Sequence, residues 1–152
     1  MIIISPYAQK LRNGKINPKN YPYWQELVEQ LYKNKYEVVQ VGVEGEDQLV
    51  PDFRKNLPLA ELAKLVNECD TWISVDSFFQ HFCWDLKKPG IVLWSQSNPE
   101  IFGHPENINL LKDKKYLRPY QFHLWEQCDY NKEAFVEPDQ VIKYIHDLLK
   151  DK

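Results

Sequence analysis

Three features of the sequence predict an α/β domain built on a mostly parallel sheet of five or six strands, with helices on both faces. Short β-branched runs recur along the chain: Ile2-Ile3-Ile4, Val38-Val39 with Val41, Thr71 to Val75, and Ile91 to Trp94. Segments with apolar residues at helical spacing lie between them. The runs are apolar at successive positions, which suits strands buried on both faces. This order of elements implies right-handed crossovers and a three-layer, Rossmann-like domain. At 152 residues, with five Trp, nine Tyr and seven Phe to fill a core, the chain fits one such domain over residues 1–152.

The elements follow in order. Ile2-Ile3-Ile4 is a core strand stopped by Ser5-Pro6, and it is too short to be the apolar core of a signal peptide. A polar loop over about residues 6–20 precedes a helix that Pro22 opens. Trp24, Leu27, Val28 and Leu31 form its apolar face, and it ends near Asn34. Tyr36 to Gly42 is the second strand, and the acidic turn Glu44-Gly45-Glu46-Asp47 follows it. Leu49 to Phe53 is expected as a short third strand, which Pro51 confines to a sheet edge. Pro58 begins a helix with Leu59, Leu62, Ala63 and Val66 on one face, and the strand Thr71 to Val75 comes next. Asp76 is expected to cap a helix running to about Lys87, with Phe79, Phe82, Cys83 and Leu86 as its buried stripe. Pro89-Gly90 breaks the chain before Ile91 to Trp94, and Asn107 to Leu111 is the last strand. Residues 112–136 read as an aromatic connection and residues 137–150 as a closing helix.

Composition excludes several functions. Nineteen Lys+Arg against 22 Asp+Glu give a net charge of -3, unlike the basic footprint of a dedicated nucleic-acid binder. Cys69, Cys83 and Cys128 have no CxxC spacing, so they indicate neither a disulfide framework nor a zinc knuckle and point to a reducing, cytoplasmic compartment. No stretch is apolar enough for a membrane span. His104, His123 and His146 are too scattered to suggest a metal site.

In a parallel sheet of this kind, ligands bind outside the carboxyl ends of the strands. Three loops there carry candidate chemistry. Lys10, Arg12, Lys15 and Lys19 all precede the first acid, Glu26, so the first loop carries +4 in an acidic chain. It is either an anion site or an ordinary solvated loop, and no GxGxxG or GxxxxGK[ST] motif decides between them. Ser77 and His81 are four residues apart at the start of a helix, where free backbone N–H groups attract phosphate. The plainer alternative is that Asp76 and Ser77 cap the helix and His81 is a surface residue. Ser95-Gln96-Ser97-Asn98-Pro99 follows a buried strand and either reaches a ligand or is a simple turn. No nucleophile, base and orienter set is recognisable, so catalytic residues are unassigned.

These segments together resemble the C-terminal, donor-binding half of glycosyltransferase family 9, the heptosyltransferase-like enzymes of two-domain GT-B architecture. That family follows a strand with Asp-Thr-Gly and a His a few residues later, then Lys/Arg-Pro before the next strand and a Gly-Pro-Thr-Asp-Pro-like loop after it. Ser74-Val75-Asp76-Ser77-Phe78-Phe79-Gln80-His81, Lys88-Pro89-Gly90 to Trp94, and Ser95-Gln96-Ser97-Asn98-Pro99 keep that order and spacing. Lys15 before Tyr21-Pro22-Tyr23-Trp24 is similar to the family's Lys followed by Trp-Pro, and the likeness covers about residues 1–111. Phe78 and Ser95 depart from it by standing where the family has Gly.

The resemblance implies a nucleotide-diphosphate-sugar donor as ligand; no metal or cofactor is expected, because no carboxylate pair is clearly placed to bridge a diphosphate. Asp76, Ser77, Phe78, His81 and Ser97 would lie at its phosphate and sugar, with Lys10, Arg12 and Lys15 supplying charge and Glu44 or Glu46 near the nucleoside. Phe78 and Ser95 bear on how closely the backbone approaches a pyrophosphate. The 152 residues correspond to one half of the two-domain architecture, so sugar transfer is expected only with a separate acceptor-binding chain or in a homodimer. The alternative is a non-catalytic nucleotide-binding or protein-interaction module of the same fold, in which the aromatics Tyr116, Tyr120, Phe122, Trp125 and Tyr130 form a partner surface or pack the connection. A small hydrolase using His81 is a third reading, weakened because His81 has no evident base and orienter.

Overall fold

β1 (Ile2–Ser5) lies at the centre of a six-stranded sheet because its neighbours bond to it on both edges. The computed structural model describes residues 1–122, 126 and 128–150. After β1 come α1 (Trp24–Lys33), β2 (Val38–Gly42), β3 (Phe53–Lys55), α2 (Leu59–Glu68) and β4 (Thr71–Val75). The chain continues through α3 (Phe78–Asp85), β5 (Ile91–Trp94), α4 (Pro99–Phe102), β6 (Ile108–Leu111) and α5 (Pro138–Leu149). The strand order is β3-β2-β1-β4-β5-β6, and every pairing is parallel. Ile3 pairs with Val39 on one side and Trp72 on the other. No helix among the described residues is long and apolar enough to cross a membrane.

The alternation of side chains along each strand divides the core into two layers. Ile2, Ile4, Ile73, Val75, Ile91 and Leu93 pack with Trp24, Leu27 and Leu31 of α1 and Val141 and Ile145 of α5. Ile3, Val39, Val41, Trp72, Val92 and Trp94 pack on the opposite face with Leu62 and Val66 of α2 and Phe79 and Cys83 of α3. Burying one such side chain contributes about 1.5–3 kcal/mol, which is why unbroken apolar runs settle at the centre of the sheet.

Several boundaries differ from the sequence expectation. The third strand is at the sheet edge, as Pro51 requires, but it covers Phe53–Lys55 instead of Leu49 to Phe53. The cause is Gln40, wholly buried in β2, whose side chain donates to the Asp47 carbonyl at 2.8 Å and accepts from the Leu49 N–H at 2.7 Å. Those bonds hold residues 47–49 as a loop. α1 starts at Trp24, so Pro22 lies in the turn before it. α3 ends at Asp85, before the expected Lys87, and Ser77 replaces Asp76 at its N-cap position. Its buried stripe includes Gln80, while Phe82 and Leu86 are only partly buried. The short helix α4 falls where a loop was expected. Asn98 caps it by accepting from the Glu100 N–H at 3.0 Å, and Pro99 occupies its first turn.

The aromatic connection is mixed in character. The Tyr130 hydroxyl donates to the Asn20 carbonyl at 2.8 Å, and its ring packs beside the buried Phe135. Tyr120 and Phe122 are exposed, Tyr116 is half-buried, and Trp125 and His123 lie outside the described residues.

Gly90 marks the tightest packing between β5 and its neighbour. A Cβ there would stand 2.3 Å from the Trp72 indole, which is itself held by a 3.0 Å bond from Nε1 to the Lys88 carbonyl. Gly90→Ala is therefore expected to destabilise the domain by about 1–3 kcal/mol through overpacking. Urea unfolding should show a lower midpoint at unchanged slope, and an unchanged midpoint would contradict this packing.

Candidate functional site

The strand order reverses between β1 and β4, and the loops leaving their carboxyl ends diverge there. A cavity of about 770 Å³ opens at this place. Its walls come from Ser5 at the end of β1 and Tyr7 and Lys10 beyond it, Glu44 and Glu46 after β2, and Asp76, Ser77, Phe78 and His81 after β4. Lys19, Arg54 and Asn56 add to the polar lining.

The start of α3 is the most distinctive wall. Ser77 has extended backbone at the N-cap position, and its side chain makes no capping bond. The first-turn amides of a helix have no partner within the helix, so these N–H groups and the positive end of the helix dipole are left for another acceptor. The Ser77 hydroxyl is buried and has no hydrogen-bond partner among the described residues. Asp76, the residue most able to occupy those amides, is directed elsewhere. Its carboxylate accepts from Gln80 Nε2 at 2.8 Å and pairs with Lys19 Nζ at 3.1 Å. Asp76 and Gln80 are buried, so Lys19 compensates a carboxylate largely withdrawn from water.

The opposite wall is acidic. Glu46 folds back to accept from the Val43 N–H at 2.7 Å, and its carboxylate fills the space a Cβ on Gly42 would take. Burial pushes the Glu46 carboxyl above its ordinary range, opposed by the Val43 bond and by nearby Lys10. Glu44 is more open and pairs with Lys55 at 3.6 Å. Burial, with Asp47 and Glu46 close by, pushes the Tyr7 phenol up to about 12, so it is a protonated donor at neutral pH.

His81 lies on the cavity rim. Its Nδ1 is 2.8 Å from Nε2 of His104, and the His104 ring stacks on Trp84 with centroids 4.7 Å apart and planes at 12°. Burial first, then His104, lowers the His81 pKa below the usual imidazole value; Lys19 acts in the same direction, while Asp76 and Asp85 oppose it. Among the described residues no group of three or more His, Cys, Asp or Glu is arranged to hold a metal ion.

Of the residues singled out from sequence, the cavity brings together Lys10, Glu44, Glu46, Asp76, Ser77, Phe78 and His81. Arg12 and Lys15 are exposed on the first loop and do not line it. Ser97 is buried elsewhere, accepting from the Arg118 guanidinium, which also bonds the Gln121 carbonyl and lies over the Phe102 ring. Phe78 is 62% exposed and lines the cavity from the first turn of α3, its ring tilted against Phe82. Ser95 is turned inward and donates to the Pro18 carbonyl at 3.1 Å, tying the loop after β5 to the first loop. Sequence reasoning missed Lys19 as the partner of Asp76, and His104 as the partner of His81. Both pairings join residues of separate elements, 57 and 23 positions apart in the chain.

The fold is shared with solved glycosyltransferases. The ADP-heptose lps heptosyltransferase II of E. coli matches with a TM-score of 0.68 at 19% identity, over 99% of this chain and 46% of its own. The E. coli heptosyltransferase WaaC, solved with ADP, matches at 0.65 and 15% identity, over 97% and 43%. The family 9 glycosyl transferase of Veillonella parvula matches at 0.72 and 18% identity, over 100% and 46%. The chain thus spans about half the length of these structures. Among curated proteins none matches it by sequence. The sequence profile described as glycosyltransferase family 9 (heptosyltransferase) matches residues 1–120, which include β1, the cavity-lining loops and α3. By that match, the chain belongs to glycosyltransferase family 9.

Proposed function

We propose that this domain binds a nucleoside-diphosphate-sugar donor and that sugar transfer takes place when an acceptor-binding domain, from a partner chain or a second copy, completes the site. The observation that carries the reading is the uncapped start of α3, with the Ser77 hydroxyl buried and unpartnered beside it. A diphosphate there would accept from the amides, from Ser77 and from His81, with Lys10 and Lys19 nearby. The acidic wall at Glu44 and Glu46 suits the hydroxyls of a ribose, because a carboxylate accepts from two neighbouring O–H groups. The related E. coli proteins are described with ADP and ADP-heptose, which makes these the first ligands to test. The alternative reading is a nucleotide-binding module of the same fold without transfer. Sugar transfer by the full assembly separates the two.

Isothermal titration with ADP and ADP-heptose should give saturable binding, weakened roughly tenfold by Ser77→Ala and by His81→Ala, each of which removes a hydrogen bond to a charged group. Absent binding, or affinities unmoved by both substitutions, would reject the donor site.

The pH dependence follows from His81. Its pKa is lowered in the free protein, and a diphosphate beside it would favour the protonated ring. Affinity for ADP-heptose, whose diphosphate bridge does not titrate in this range, should rise as pH falls from about 8 to about 6. His81→Gln should flatten the profile, and a wild-type affinity that falls over the same interval would contradict the assignment.

Lys19 has a separate role in keeping Asp76 compensated and off the helix amides. Lys19→Met should cost about 1–3 kcal/mol in thermal or urea unfolding, and adding Asp76→Asn should recover most of it. Additive losses in the double variant would show that the pair is not coupled.

A further inference from the structure

We propose that His104 is a positioning residue that fixes His81 as the tautomer carrying its proton on Nε2, so that His81 presents an N–H donor to the cavity. The geometry limits the choices. His81 Nδ1 and His104 Nε2 are 2.8 Å apart, and two neutral rings at that distance share one proton between the facing nitrogens. If His104 donates, His81 keeps its own proton on Nε2, the ring nitrogen left for a cavity ligand. If His81 donates, Nε2 is a bare acceptor, which repels an anion. The donor-binding reading given above selects the first arrangement, and the inference rests on it for that sign. A protonated His81 donates from both nitrogens, with His104 then accepting, so an N–H on Nε2 persists in either charge state.

His104 is suited to this task by its own support. Its ring stacks on Trp84 at 4.7 Å and meets His81 edge-on at 81°. Trp84 and His81 both belong to α3, whereas His104 lies between α4 and β6. Asn109 Nδ2 donates to the His104 carbonyl at 2.9 Å and anchors the backbone. The two histidines are 23 residues apart, so the contact couples the loop before β6 to the wall of the cavity.

Two readouts test the proposal. Long-range proton–nitrogen NMR of the histidine rings, at about pH 8 where neutral imidazole dominates, should show His81 protonated on Nε2 with Nδ1 accepting. His104→Ala should shift the His81 Nδ1 resonance, and His104→Gln, whose amide can donate from the same place, should restore it. A His81 ring protonated on Nδ1 in the wild type, or one unaffected by His104→Ala, overturns the proposal without any ligand. In titrations with ADP, His104→Ala should weaken binding about fivefold, with His104→Gln near wild type and no further loss in a His81→Ala background. Equal losses from His104→Ala with and without His81 would also overturn it. Failure of the wild type to bind ADP or ADP-heptose would instead reject the donor reading, and the NMR result would still decide the positioning.

Discussion

Pairing of β1 on both edges is the constraint from which the cavity follows. With β2 on one side and β4 on the other, the chain must move in opposite directions along the sheet in its two halves. Right-handed crossovers then put the connecting helices on opposite faces, and α1 indeed packs on one face while α2 and α3 pack on the other. The loops leaving β1 and β4 therefore part, and the space between them cannot be filled by either helix layer. Ile2, Ile3 and Ile4, all wholly buried, hold this arrangement by giving β1 an apolar side chain toward each layer in turn.

The cavity carries its selectivity in arrangement more than in net charge. Lys10, Lys19 and Arg54 are balanced by Glu44, Glu46 and Asp76 among the lining residues. What distinguishes the two walls is where donors and acceptors are left available. Lys19 and Gln80 occupy the Asp76 carboxylate, so the α3 amides and Ser77 form a donor wall. Glu44 and Glu46 form an acceptor wall across from it. On the proposed donor-binding reading, a neutral cavity sorted in this way would favour a ligand with an anionic end and a hydroxyl-rich end over a simple anion.

Most of the fold was legible because it depends on local pattern. β-branched runs marked β1, β2, β4 and β5, and helical spacing marked α1, α2, α3 and α5. The misplaced β3 and the overlooked α4 have different causes. β3 was displaced by Gln40, a polar side chain buried inside a strand whose bonds to residues 47 and 49 no periodicity reveals. α4 is signalled by Asn98-Pro99, a cap followed by proline, within a polar stretch whose composition equally suits a ligand loop or a simple turn. Within the site, the Asp76-Ser77-His81 group was visible because its members sit on one turn of chain. Lys19 was harder to separate from Lys15 and Arg12, since only the path of the first loop decides which cation reaches Asp76. His104 was invisible as a partner of His81 because the contact crosses β5 and α4.

The proposed donor site depends on the start of α3 as the place that would hold a diphosphate. Backbone amide NMR during titration with ADP tests this most directly, because it reads the first-turn N–H groups themselves. The largest shifts are predicted at Ser77, Phe78, Phe79 and Gln80, with a second group at Val43 to Glu46. Saturable binding whose shifts fall instead around residues 96–104, or along β6, would contradict it.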